Sequence, residues 1–210
     1  MTTRKQADDL RGKLMSLVRE GTDEIRGVFG LYSPEYVQSI LPSLITPTLD
    51  RASILTADWY QNLSDKPFRV REFFPVSEGR INYTSAWAYK LAGEADPVEH
   101  MAGAFQRMVF DCGRQTVIGN AKLERVKWER DANEDSCPFC RLLTVDPHAY
   151  NGKYVDMPSH NHDCRCIAVA SRDGNPYIPP AYVQTWRDEH ERKKTGNLTE
   201  TLAAMEEPAV

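Results

Sequence analysis

Four of the chain's five cysteines lie in two short stretches, "SCPFC" (136–140) and "HDCRC" (162–166), and two of its five histidines, His160 and His162, stand at or beside the second. No other feature restricts the fold as strongly. Thiols gathered in this way end as a disulfide staple, a metal clamp or a reactive centre. Cys137 and Cys140 have the C-x-x-C spacing that lets two thiolates on one tight turn face a single ion. In an extended segment, His160, His162, Cys164 and Cys166 all project to one side, because side chains alternate along a strand. Two ligands from a knuckle and two from a facing strand make a tetrahedral zinc site. The candidate ligands are Cys137, Cys140, His162, Cys164 and Cys166, with His160 competing for the histidine position. Such a zinc is structural, and its binding energy becomes local folding energy.

Other chemistries fit less well. The N-terminus "MTTRKQADDLRGKL" lacks an apolar signal core, and no apolar run approaches the roughly 20 residues of a membrane span. The expectation is a cytosolic chain without membrane contact, where thiols stay reduced and a staple is disfavoured. A redox C-x-x-C belongs at a strand-to-helix junction and leaves the second cluster unexplained. A zinc deaminase places H-x-E before P-C-x-x-C, and here no H-x-E comes first. No H-E-x-x-H is present. Cysteines without metal remain an alternative. Four protein ligands leave no open position for substrate, so the chain reads as a non-enzyme. A formal net charge of −4 and a pI of about 5.8 exclude a global basic field for nucleic acid. A local face of Arg125, Lys127, Arg130, Arg141, Lys153 and Arg165 could still meet phosphates, but "DANED" and further aspartates beside it favour a solvated face of mixed charge.

The first half of the chain reads as helical. Leu10, Leu14, Leu17, Val18, Ile25, Val28 and Phe29 recur at helical spacing over residues 3–29. "YSPEY" starts a helix, with Ser33 as N-cap and Pro34 at its first position. Pro42 and Pro47 are expected to interrupt it, and a separate helix should run from Leu49 to Leu63. Residues 66–82 read as irregular and 84–93 as a short helix ending at Gly93. Asp96, Pro97 and Glu99 then open a strong amphipathic helix with a capping-box arrangement. Cys112 lies on its apolar stripe and reads as an inert buried thiol. "ERVKWER" and "RCIAVA" read as strands, "AYVQTWRDEHERKKTG" as a charged helix, and "NLTETLAAMEEPAV" as a loose tail. The N-terminal aromatics exceed what a core needs, and Phe73 and Phe74 within 66–82 are expected to be the most exposed.

With "GRQTV", "VKWER", "CPFC" and "HNHDCRC" in this order, residues 110–170 resemble the Mu F-like phage head morphogenesis, or minor capsid, family. "ADWYQNL" resembles the helical region of such proteins in phages of actinobacteria. The family's usual histidine position, three before the first paired cysteine, is Asn161 here, flanked by His160 and His162. The resemblance implies a structural virion component present in few copies. It would enter the head during assembly in the host cytoplasm, near the portal, touching portal, major capsid or scaffold proteins and making weak non-specific contact with DNA. The expected class is α+β: a helical docking region (1–120), a zinc-clamped module (121–172), and a C-terminal helix with a flexible tail (173–210). Some members of that family carry a further enzymatic domain, for which the residues after Val169 are too few.

Overall fold

The computed structural model describes residues 4–63, 68–91, 96–146, 164–172 and 176–206. The architecture is α+β, as expected: mainly helical, with one small antiparallel sheet. Helix α1 (Arg4–Phe29) buries the stripe read from its sequence, including Leu10, Leu14, Leu17, Ile25 and Phe29. Helix α2 (Pro34–Gln61) starts at Ser33, whose hydroxyl accepts from the Tyr36 amide.

The expected break within α2 does not occur. The helix continues through both Pro42 and Pro47. Val37, Leu41, Ile45 and Leu49 form one buried stripe across the two prolines, on the side packed against α1 and helix α4 (Pro97–Glu124). Each internal proline costs about 3 kcal/mol. Burying four large aliphatic side chains contributes about 1.5–3 kcal/mol apiece, so packing outweighs the local penalty.

Helix α3 (Glu78–Lys90) begins six residues before the expected start at 84. Ser77 is its N-cap and accepts from the Arg80 amide; Gly79 in the first turn conceals that start in the sequence. At α4, Asp96 caps through the Val98 amide. Glu99 turns away from the expected capping box to pair with Arg26 of α1. A left-handed Arg125 (φ 61°) ends the helix by donating to the Ala121 and Lys122 carbonyls.

Residues 68–77 are irregular, as expected, yet they are held along α4. Asn120 accepts from the Arg71 amide and donates to its carbonyl, at 2.8 and 2.7 Å. Ser53 of α2 donates to the Phe73 carbonyl. Gly119 leaves room for the Phe73 ring, which a Cβ there would meet at 2.3 Å. Phe73 is therefore packed, correcting its expected exposure, and only Phe74 of that pair faces solvent. The larger exposed aromatic set is elsewhere: Tyr32 and Tyr36 at the α1–α2 turn, and Tyr83 and Trp87 on α3.

Strands β1 (Lys127–Asp131) and β2 (Ile167–Ser171) pair antiparallel, with Trp128 opposite Ala170 and Arg130 opposite Ala168. β2 packs on α4 and shares the main core with α1 and α2. Residues 120 and 121, where the expected helical region meets the expected zinc-clamped module, lie within α4. Among the described residues three further helices follow: α5 (Pro138–Val145), α6 (Ala181–Lys193) and α7 (Leu198–Glu206). The expected loose tail is corrected by α7. Asn197 Oδ1 accepts from the Thr199 amide at its start, and Thr201 and Met205 are buried as it packs on α5 and α6.

Two glycines of α1 give opposite expectations. A Cβ on Gly21 would sit 2.3 Å from the buried Phe105 ring, whereas one on Gly27 meets nothing within 4 Å. Gly27→Ala should stabilise by up to about 1 kcal/mol through helix propensity. Gly21→Ala should destabilise despite the same propensity gain, because overpacking costs about 1–3 kcal/mol. Urea unfolding of the two variants checks the opposite signs.

Candidate metal centre

Cys137 is the N-cap of α5 and Pro138 its first residue, which puts Cys140 in the first helical turn. The C-x-x-C motif is thus the N-terminal turn of a helix, where the backbone dipole favours thiolate. From the other side, Cys164 and Cys166 lead directly into β2. The two pieces meet. The Sγ atoms lie 3.4 Å apart for Cys140 and Cys164, 3.9 Å for Cys140 and Cys166, and 3.0 Å for Cys164 and Cys166. All three residues are buried, at 2%, 5% and 0% exposure. Together they form a group that could hold a metal ion.

Cys137 is half-buried and joined to the group through a side-chain hydrogen bond with Cys140. Cys137, Cys140 and Cys164 line a cleft of about 160 Å³ with Asn133, Asp135 and Arg165. His160 and His162 lie outside the described residues.

Two arginines make this cluster more than a meeting of thiols. Arg130 of β1 places Nη1 2.8 Å from Cys166 Sγ. Arg114 of α4, fully enclosed, donates to the Cys166 carbonyl at 2.6 Å and reaches its sulfur at 3.5 Å. Arg114 also pairs with Asp111, which Arg80 grips from α3. Cys166 is held well below the usual thiol range. Hydrogen bonds with Cys140 and Cys164 contribute most, and the Arg130 and Arg114 guanidiniums add to them against the effect of burial. Cys140 moves upward, chiefly through hydrogen bonds with Cys137, Cys164 and Cys166. Neighbouring thiols cannot all ionise in a dry site unless cations balance them.

A second set of bonds fixes the surroundings. Arg11 of α1 donates to the Arg165 carbonyl and pairs with buried Asp131 at 3.0 Å, and Arg4 also pairs with Asp131. Tyr182 accepts from Arg4 and donates to the Ala132 carbonyl. The helical part thus grips both strands close to the cysteines.

Sequence reasoning missed Arg114. Asp111 and Arg114 are both buried in α4, and nothing local in the sequence marks that arginine as enclosed. Arg130, expected on a solvated face of mixed charge that could meet phosphates, turns inward to Cys166. Arg141 lies over the Trp186 ring and donates to the Ser136 carbonyl, and Arg165 pairs with Asp135. Lys153 lies outside the described residues. Among the described helices, none is long and apolar enough to cross a membrane.

The family model for VG15 protein matches residues 1–193. The chain belongs to the VG15 protein family. This is a viral protein family, and the match runs from α1 to the last residue of α6. The helical bundle and the cysteine cluster therefore fall within one VG15 unit. No curated protein and no solved structure matches the chain.

Arg114→Met should destabilise the protein by about 3–5 kcal/mol, because it leaves Asp111 and the Cys166 carbonyl short of a buried partner. Equilibrium urea unfolding measures this. Cys112 is apart from the cluster, and burial first of all pushes its thiol up to about 12. At pH 8 only about one molecule in 10⁴ carries that thiolate. Iodoacetamide at pH 8 should leave Cys112 unmodified in the native protein and modify it in urea, as peptide mass mapping will show.

Proposed function

We propose that this VG15 protein is a structural minor head protein of a tailed phage, incorporated during head assembly near the portal, and that its cysteine cluster holds zinc. The observation that carries this reading is the closure of the cluster. Three thiols are buried together and tied by arginines to the helical core, which suits a stabilising clamp and not a substrate-binding metal. A tetrahedral zinc with bonds of about 2.3 Å sets sulfurs about 3.8 Å apart. The Cys140–Cys166 separation of 3.9 Å is already near that value. The other two pairs need to widen by less than about 1 Å. Cys140, Cys164 and Cys166 would be three ligands, with Cys137 or His162 as the fourth.

Membership of a viral family and the order of "VKWER", "CPFC" and "HDCRC" support the Mu F-like reading. Docking on portal, major capsid or scaffold falls to the helical part. Its exposed Tyr32, Tyr36, Tyr83 and Trp87 are aromatic groups of the kind that anchor interfaces. A role centred on DNA has less support, since Arg130, Arg141 and Arg165 are engaged within the protein.

Metal analysis of untagged protein should give about one zinc per chain. A value well under half an equivalent refutes the zinc clamp. For assembly, the chain should be captured when co-expressed with the portal and the capsid–scaffold pair of its own genome. Tyr83→Glu with Trp87→Glu should lower capture at least tenfold while the zinc content stays unchanged. Failure of the folded, zinc-loaded wild-type chain to join such particles overturns the head-protein reading.

A further inference from the structure

Helix α3 is seated on the bundle unlike its neighbours. It packs on both α2 and α4. Of its 13 residues only Ile81, Ser85 and Ala88 are buried, whereas α4 buries 16 of 28. Near its start, Arg80 pairs with Asp111 at 2.7 Å. Farther along, the Trp87 ring meets His100 edge-on, with centroids 4.4 Å apart. These two contacts make α3 antiparallel to α4 and set Arg107 of α4 at the level of Asn82. Tyr89, near the end of α3, stacks on Phe29 of α1.

The seat of α3 contains polar atoms that it does not satisfy. Asn82 Oδ1, Ser85 Oγ and Tyr89 Oη, and Arg107 Nε on α4, are all enclosed, and among the described residues none of them has a hydrogen-bond partner. Asn82, Ser85 and Tyr89 share one stripe of the helix, being three and four positions apart. Ser85 is completely buried. Burial moves Arg107 below the ordinary arginine range; Asp111 opposes this and Arg80 adds to it. A polar atom enclosed without a partner gives up its bonds to water and makes no others, so each of the four opposes the closed seat.

We infer that α3 is a flap, which swings off the groove between α2 and α4 as one unit while the rest of the bundle stays folded. The chain before it sets the pivot. Asn120 holds both backbone groups of Arg71, and Ser53 holds the Phe73 carbonyl. Only Phe74, Pro75 and Val76 separate that anchor from Ser77, the N-cap of α3. Opening returns the four polar atoms to water. It gives up the burial of Ile81 and Ala88, the Arg80–Asp111 pair and two ring contacts, which is little to hold a helix of this length. The exposed Tyr83 and Trp87 ride on the flap, so the aromatic face proposed for docking moves with it. Both states belong to the isolated chain, and the inference stands whether or not that chain holds zinc or enters a head.

Hydrogen exchange of the full-length protein, followed by mass spectrometry in low concentrations of urea, tests this. Amides of residues 82–90 should exchange together, at least about a hundredfold faster than those of residues 105–118 in α4. Their rate should depend weakly on urea, because local opening exposes little surface. Ser85→Ala deletes one of the four atoms and should slow exchange across residues 82–90 at least about fivefold. Helix propensity alone accounts for only about twofold. Protection of α3 equal to that of α4, the same urea dependence in both, protection that falls off gradually toward the ends of α3 as in fraying, or a Ser85→Ala effect no larger than the propensity contribution overturns the proposal.

Discussion

The guanidinium of Arg114 is the interaction on which most of this structure depends. It lies fully enclosed between α4 and the segment entering β2, with Asp111 on one side and the carbonyl and sulfur of Cys166 on the other. Removing such a charge from water costs several kcal/mol, and only a complete set of acceptors offsets that cost. One acceptor is three positions away in the chain and the other 52. The arginine is therefore satisfied only when the second cysteine pair is seated on the helical core. A charge in this position makes partial docking unfavourable, and so it favours one arrangement over nearby alternatives.

Arg11 and Asp131 repeat the device from the other side. Arg11 reaches the Arg165 carbonyl and the Asp131 carboxylate, so α1 and α4 each hold the cysteine-bearing segment through a buried arginine. β2 belongs to the same apolar core as α1, α2 and α4. These contacts join the helical part and the strands in one apolar core. The VG15 match, continuous from residue 1 to 193, agrees with a unit that includes both parts.

The cysteine cluster illustrates what such a junction can do chemically. Its sulfurs sit at the start of α5, beside two guanidiniums, and away from water. Helix dipole and arginines favour thiolate, burial opposes it, and a dication would resolve the conflict by binding several thiolates at once. On the helical part, by contrast, Tyr32, Tyr36, Tyr83 and Trp87 present large aromatic groups to solvent.

The sequence by itself determined the elements whose signals are local. The α1 stripe, the Ser33–Pro34 and Asp96–Pro97 helix starts, both strands and the gathering of Cys140 with Cys164 and Cys166 were legible, because periodicity, capping chemistry and C-x-x-C spacing act within a few residues. Tertiary structure decided the rest. α2 continues through Pro42 and Pro47 because its buried stripe outweighs two local penalties. Phe73 is packed because Gly119, 46 positions away, leaves it a place. α7 forms where a loose tail was read, because Thr201 and Met205 find α5 and α6. Arg114 and Arg130 belong to the cysteine cluster although the cysteine they both reach, Cys166, is 52 and 36 positions away in sequence. No local pattern distinguishes a buried arginine from a solvated one; only the partner brought to it by the fold makes that difference.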